Sequence, residues 1–253
     1  MQQKHSRRNS ACYPSLKGKV IFITGGCSGI GAAMIQGFSW QGARVAFVDI
    51  EKSLSEALVT SLSEHVYPPV FIECDIRNIA ALQMTIERVG RDLGDVSVLI
   101  NYVANDTRDN RMAINLRPMF FATQAVIPQM KRLGGGSIIN FGSLSARTAS
   151  IIPTYMTAKA GAHGLTTGLA RELGPFNIRV NTLLPGWVMS GHCCATGFTF
   201  PTRRYGRTVD AGTRRHQKGG RAFRRLASAR AYIVEVSLQE STREGLNYEL
   251  HAC

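Results

Sequence analysis

Lys19-Val20-Ile21-Phe22-Ile23-Thr24-Gly25-Gly26-Cys27-Ser28-Gly29-Ile30-Gly31 is the stretch that decides the fold of this chain. A short apolar, β-branched run leads straight into a glycine-rich turn. Apolar residues then recur at Ile30, Met34 and Phe38, the i, i+4, i+8 spacing of a helix, and Gly42 stops it. Glycines at such a turn allow a tight bend and a close approach of backbone to a pyrophosphate. The helix that starts there offers free N–H groups and the positive end of its dipole. A glycine-rich turn alone is weak evidence, because strand-to-helix turns use Gly anyway. Set between a strand and an apolar-periodic helix, it points to dinucleotide binding. Gly25, Cys27, Ser28, Gly29, Ile30 and Gly31 are the residues this turn offers to a cofactor, with Cys27 as a small side chain that fits and no redox role.

Downstream, the same alternation continues. Strands are predicted at 44–49, 70–74, 97–101, 137–141 and 178–183, and helices at 53–62, 79–93, 112–130 and 154–173. Strands that read as unbroken apolar runs between helices mean a parallel sheet covered on both faces. Right-handed crossovers make it a doubly wound α/β sheet of Rossmann type, in a single domain with an atypical C-terminal tail. In such sheets ligands lie outside the carboxyl ends of the strands.

The residues that follow each strand are therefore the candidates. Asp49 follows the second strand, twenty-four residues beyond Gly25. A carboxylate there can accept both ribose hydroxyls of an adenosine and would repel a 2′-phosphate, so NAD is expected over NADP. Asp75 and Ile76, after the third strand, are placed to flank the adenine, and Asn101 ends the fourth. Ser143 follows the fifth strand, and twelve residues later comes Tyr155-Met156-Thr157-Ala158-Lys159. Tyr155 and Lys159 are four apart and share one helix face. Hydride removal from a carbinol needs a base for the hydroxyl proton, and a free phenol with a pKa near 10 is a poor one at neutral pH. A neighbouring ammonium and a cationic nicotinamide both favour the phenolate. Ser143 can hydrogen-bond the reacting oxygen, and Lys159 can also hold the nicotinamide ribose.

With these residues in order, the sequence resembles the short-chain dehydrogenase/reductase family over residues 13–190. The glycine turn, Asp49, Asp75, Asn101, Asn115, Ser143, Tyr155, Lys159 and Pro185-Gly186 fall in the family's order. The stretches Ala104-Asn105-Asp106-Thr107-Arg108 and Ile139-Asn140-Phe141-Gly142-Ser143 are similar to those of the family's bacterial NAD-dependent sugar dehydrogenases. The resemblance implies a homo-oligomer as one possibility and an oxidoreductase that moves a hydride between a sugar or polyol carbinol and NAD. Tyr155 would be the general base or acid, and Asn115 would complete a proton relay with Lys159 and a water. Pro185, Gly186 and Val188 would hold the nicotinamide carboxamide. Three departures stand out. Asn101-Tyr102-Val103-Ala104 replaces the usual Asn-Asn-Ala-Gly, with bulk where backbone should approach the cofactor. Asn101 and Asn115 are fourteen apart, where the family has about two dozen residues. The resemblance stops near Ser190.

Composition bounds the alternatives. The chain has 253 residues, is 44% hydrophobic and 19% charged, and can bury a large core without disulfide or metal staples. That excludes a disordered chain or a coiled coil. Its six cysteines (Cys12, Cys27, Cys74, Cys193, Cys194 and Cys253) have no metal-ligand spacing, so no metal is expected. No apolar run suggests a membrane span and no secretory signal is evident, so the expected compartment is the cytoplasm. The net charge of +13 sits mostly at the ends. Residues 1–12 read as a disordered basic arm, and residues 191–253 as a basic tail, poorly ordered or degenerate, with eleven basic and five acidic residues. No strand pattern emerges in this tail before Ala231-Tyr232-Ile233-Val234-Glu235-Val236. Two other readings follow from the departures: an inactive nucleotide-binding relative, or, less favoured, a nucleic-acid-binding arm in the tail. His163 reads as a packed helix residue, and Arg108 as a candidate for sugar hydroxyls or a carboxylate.

Overall fold

The computed structural model describes residues 11–104, 111–146, 152–186 and 233–237. Strand β1 (Val20–Thr24) is entirely buried, as its apolar run requires, and lies in the middle of one sheet. Around it stand β2 (Arg44–Asp49), β3 (Val70–Glu73), β4 (Val96–Asn101), β5 (Gly136–Phe141), β6 (Ile178–Pro185) and β7 (Ile233–Ser237). The order across the sheet is β3-β2-β1-β4-β5-β6-β7, which leaves β3 as an outer edge. The first six strands are parallel, and strand order reverses between β1 and β4, the switch point beside which ligands bind in such sheets.

Alternation along the strands separates two apolar layers. Phe22, Val48, Leu99, Ile138 and Val180 face α3 (Ile79–Asp92), α5 (Arg117–Arg132) and α6 (Pro153–Leu173). Ile23, Phe47, Ile100 and Phe141 belong to the opposite layer, with Ile35 of α1 (Gly29–Trp40) and Leu58 of α2 (Lys52–Ser61). Gln129 of α5 is a buried polar strut in the first layer. Its Oε1 accepts from the Val96 N–H at 2.8 Å and its Nε2 donates to the Ile86 carbonyl at 3.2 Å. The close approach of α3 at this point requires Gly90, where a Cβ would lie 2.7 Å from Gln129 Oε1.

The fold class is the doubly wound one expected, and four details differ. The helix expected over 112–130 is two: α4 (Arg111–Asn115) and α5, parted at Leu116, whose φ of −132° is not helical. Pro118 fits the restart, since proline lacks an N–H and is best tolerated in the first turn of a helix. In α1 the fully buried line is Gly31, Ile35 and Ser39, with Ile30, Met34 and Phe38 packed beside it. The missing side chain at Gly31 lets that line press closest. Strand β6 runs on to Pro185. Strand β7 falls where a strand pattern emerges in the tail, and it pairs antiparallel with β6, a common ending for a largely parallel sheet. The basic arm up to residue 10, and the tail outside 233–237, lie outside the described residues. No described helix is long and apolar enough to cross a membrane.

Candidate active site

The glycine turn is built by backbone freedom that only glycine has. Gly25 adopts φ +81°, and its N–H donates to the Val48 carbonyl at 2.8 Å. At Gly31 a Cβ would lie 2.5 Å from the Gly25 carbonyl oxygen, so α1 and the turn touch backbone to backbone. Ser28 occupies the N-cap of α1 in extended conformation, and its side chain makes no capping bond. The first amides of α1 therefore have no side-chain cap, which suits an anion.

Asp49 reaches back to this turn. Its Oδ2 accepts from the N–H groups of Gly26 at 2.9 Å and Cys27 at 3.0 Å. Its Oδ1 accepts from Ile50 at 2.8 Å and Glu51 at 3.1 Å. Partial burial pushes this carboxyl upward, but the donated N–H bonds from Cys27, Glu51 and Gly26 outweigh it, and the group titrates below its ordinary value. Burial first, then the Asp49 carboxylate, push the Cys27 thiol up to about 11. Beyond β3, Asp75 is bound by Arg77, whose Nε donates at 2.9 and 2.8 Å to its two oxygens, and this pairing lowers the carboxyl below its usual range. Ile76 is buried in the α3 layer.

The remaining candidates lie where α6 packs on β5 and β6. Lys159 is 1% exposed, and its Nζ donates to the Phe141 carbonyl at 2.8 Å. The same Nζ is 5.8 Å from the centre of the half-buried Tyr155 ring. Ser143 follows β5, with its Oγ 2.7 Å from that of Ser145. The short turn Leu144–Ala146 then packs on α6. Asn115 ends α4 fully buried, with its Nδ2 donating to the Arg111 carbonyl at 2.9 Å. Helix α4 packs on α6, and Arg111 donates to Thr154 Oγ1 at 2.7 Å, directly before Tyr155. Pro185 and Gly186 close β6, while Val188 lies outside the described residues, as do Asn105, Asp106 and Arg108.

The bulk at Tyr102 goes into the α1 layer: its ring meets Phe141 edge-on, with centroids 5.0 Å apart. Val103 closes against Gly25, where a Cβ would lie 2.8 Å from Val103 Cγ2. His163 sits on α6, and its Nδ1 is buried with no hydrogen-bond partner among the described residues. Asn101 is 2% exposed and donates to Asn140 Oδ1 at 2.8 Å. Asn140 and its onward partner Thr166 escaped the sequence reading. The only signal was an Asn at an inward position of an otherwise apolar strand.

A glycine turn at the switch point of a doubly wound sheet, together with a Tyr/Lys pair on the helix before β6, is the arrangement of a class of nucleotide-dependent oxidoreductases. Comparison with known proteins narrows it. The family of short chain dehydrogenases matches residues 19–194. The D-xylose 1-dehydrogenase of Caulobacter vibrioides is 48% identical over 190 residues, covering 70% of this chain and 75% of that protein. The probable galactose dehydrogenase of Rhizobium meliloti is 44% identical, covering 72% of this chain and 76% of its own. Among solved structures, an NAD+-bound xylitol dehydrogenase superposes with a TM-score of 0.67 at 27% identity, over 72% of this chain and 75% of that one. The chain belongs to the short-chain dehydrogenase/reductase family, oxidoreductases that act on CH–OH groups with a nicotinamide dinucleotide.

Proposed function

We propose that this protein oxidises a carbinol of a sugar or polyol with NAD, with Tyr155 as general base. The observation that carries the reading is the buried Lys159 ammonium, fixed on the Phe141 carbonyl one helical turn from Tyr155 at the carboxyl ends of the central strands. When bound, NAD supplies the hydride acceptor. The residues present fit it: the uncapped start of α1 and the backbone contact at Gly31 suit a pyrophosphate, and the negative charge of Asp49 disfavours a 2′-phosphate. Ile76 and Asp75 flank the adenine side. Asn101, Pro185 and Gly186 belong to the cofactor side in this reading.

The protein's own groups then divide the work. Ser143 Oγ donates to the substrate oxygen and fixes it near the Tyr155 hydroxyl. Tyr155 takes the carbinol proton. Lys159 holds the phenolate by its charge, and Asn115 supports a path for the proton back toward solvent. The names of the relatives, xylose, galactose and xylitol enzymes, favour an aldose or polyol as substrate.

The test is NAD-dependent oxidation of D-xylose, D-galactose and xylitol by the intact chain. Tyr155→Phe is expected to lower kcat by about 100-fold or more while NAD binding, followed by tryptophan fluorescence, stays close to that of the wild type. Near-native turnover in this variant would refute the role of Tyr155. A kcat/KM higher with NADP than with NAD would refute the role of Asp49. NAD binding without turnover on any aldose or polyol would favour the inactive relative.

A further inference from the structure

One rung of the sheet is polar. Thr24, Asn101, Asn140 and Thr182 are register partners across β1, β4, β5 and β6, and all four are nearly or fully buried. They continue the rows of Phe22, Leu99, Ile138 and Val180 on the face that α5 and α6 cover. Polar groups in such positions usually find partners, and in this rung all but Asn101 Oδ1 do so among the described residues. Asn101 Nδ2 donates to Asn140 Oδ1 at 2.8 Å, and Asn140 Nδ2 donates to Thr166 Oγ1 of α6 at 3.0 Å. Thr182 Oγ1 donates to the same Thr166 oxygen at 2.7 Å, and Thr166 donates in turn to the Ala162 carbonyl at 2.8 Å. A hydroxyl has one proton and two lone pairs, so Thr166 is fully used.

We propose that Thr166 and Asn140 are positioning residues of the reaction: through α6 they set where Tyr155 and Lys159 stand over the ends of β5 and β6. The inference rests on the dehydrogenase reading above. Apart from Lys159 and Thr166, the buried face of α6 is Ala158, Ala162, Leu169, Ala170 and Leu173. Alanines and leucines pack without strong direction, so they tolerate a small slide or roll of the helix. Hydrogen bonds do not, because they weaken steeply with angle. Lys159 lies two turns before Thr166 on the same face. Its ammonium is held by the carbonyl of Phe141, the residue immediately after Asn140. Two consecutive residues of β5 therefore pin α6 at two points, and Tyr155 projects one turn beyond the second pin. A displacement of about 1 Å at reacting groups can cost on the order of 100-fold in rate, so this registration bears on turnover.

The test compares Thr166→Val, which keeps the branched shape and deletes the hydroxyl, with Thr166→Ser, which keeps the hydroxyl. D-xylose and NAD, both saturating, are the probes. Thr166→Val is expected to lower kcat by about 10- to 100-fold with the NAD Kd changed by less than about threefold, and Thr166→Ser to restore most of kcat. If Thr166→Val does not fold, Thr182→Val, which removes one donor to the same oxygen, carries the comparison. A Thr166→Val enzyme that loses thermal stability but keeps kcat within about twofold would overturn the proposal, as would a Ser variant impaired as badly as Val. Amide hydrogen exchange over residues 153–160 supplies a readout without turnover. Faster exchange there in Thr166→Val supports the pinning of α6, and unchanged exchange overturns it. A wild-type chain that oxidises none of the sugars tested with NAD would defeat the dehydrogenase reading, and this exchange measurement would still decide the pinning.

Discussion

Asp49 accepts four backbone N–H bonds, two on each carboxylate oxygen, and thereby ties the end of β2 to the glycine turn. Its place after the second strand is legible in the sequence. Its direction is not, because that depends on where the N–H groups of Gly26 and Cys27 point once the turn is wound. The folded carboxyl titrates below 3.8, so as pH falls the unfolded chain binds the proton first. The stabilisation is present above that value and is lost as pH drops through the folded one. Asp49→Asn should therefore destabilise the protein at neutral pH, with the gap from wild type closing below about pH 4 in urea titrations. A gap that stays constant down to pH 2.5 would contradict this. Burial, and after it the same carboxylate, predict slow chemistry at Cys27. With its thiol near 11, about one molecule in a thousand is thiolate at pH 8. Alkylation by iodoacetamide, followed by mass spectrometry of the peptide carrying Cys27, should run more than about tenfold slower than for free cysteine. It should quicken in Asp49→Asn, and equal rates in the two proteins would show that the carboxylate does not govern the thiol.

Two of the three glycines in helix α1 have opposite roles. At Gly31 a methyl group would meet the Gly25 carbonyl at 2.5 Å, and neither partner can move without unwinding the turn. At Gly37 a methyl group would meet nothing within 4 Å, and the residue is in mid-helix. Gly37→Ala is expected to stabilise the protein by about 0.5–1 kcal/mol in chemical denaturation, while Gly31→Ala should destabilise it and weaken NAD binding by about tenfold or more. If both substitutions behaved alike, the backbone contact at Gly31 would not matter. The glycine turn and the Tyr155/Lys159 spacing are the parts of the site most legible in the sequence, because both are local patterns. The break between α4 and α5 is not, since the apolar spacing continues through Leu116 and hides the restart at Pro118. The Thr166 node is hidden for another reason. Its partners come from two strands and its own helix, and only the pairing register brings the strand partners together.

At the scale of the whole molecule, the unbroken apolar strands announce a parallel sheet buried on both faces, and the two layers around Phe22 and Ile23 bear that out. The antiparallel pairing of β7 was not legible, because sequence pattern carries no information on direction. The outer edge at β3 is four residues long, follows Pro68 and Pro69, and ends at the exposed Glu73, whose carboxylate lies 3.9 Å from the Lys52 ammonium. Short length, prolines and a charge are the usual guards of an unpaired strand. Glu73→Val would remove the charge from a run already holding Val70, Phe71 and Ile72. Light scattering during storage at high concentration should then rise faster than for the native chain, and unchanged scattering would show that the charge is not the guard. A single carboxylate at the rim, in register with Asp49 on the neighbouring strand, would then also govern whether copies of the chain pair edge to edge.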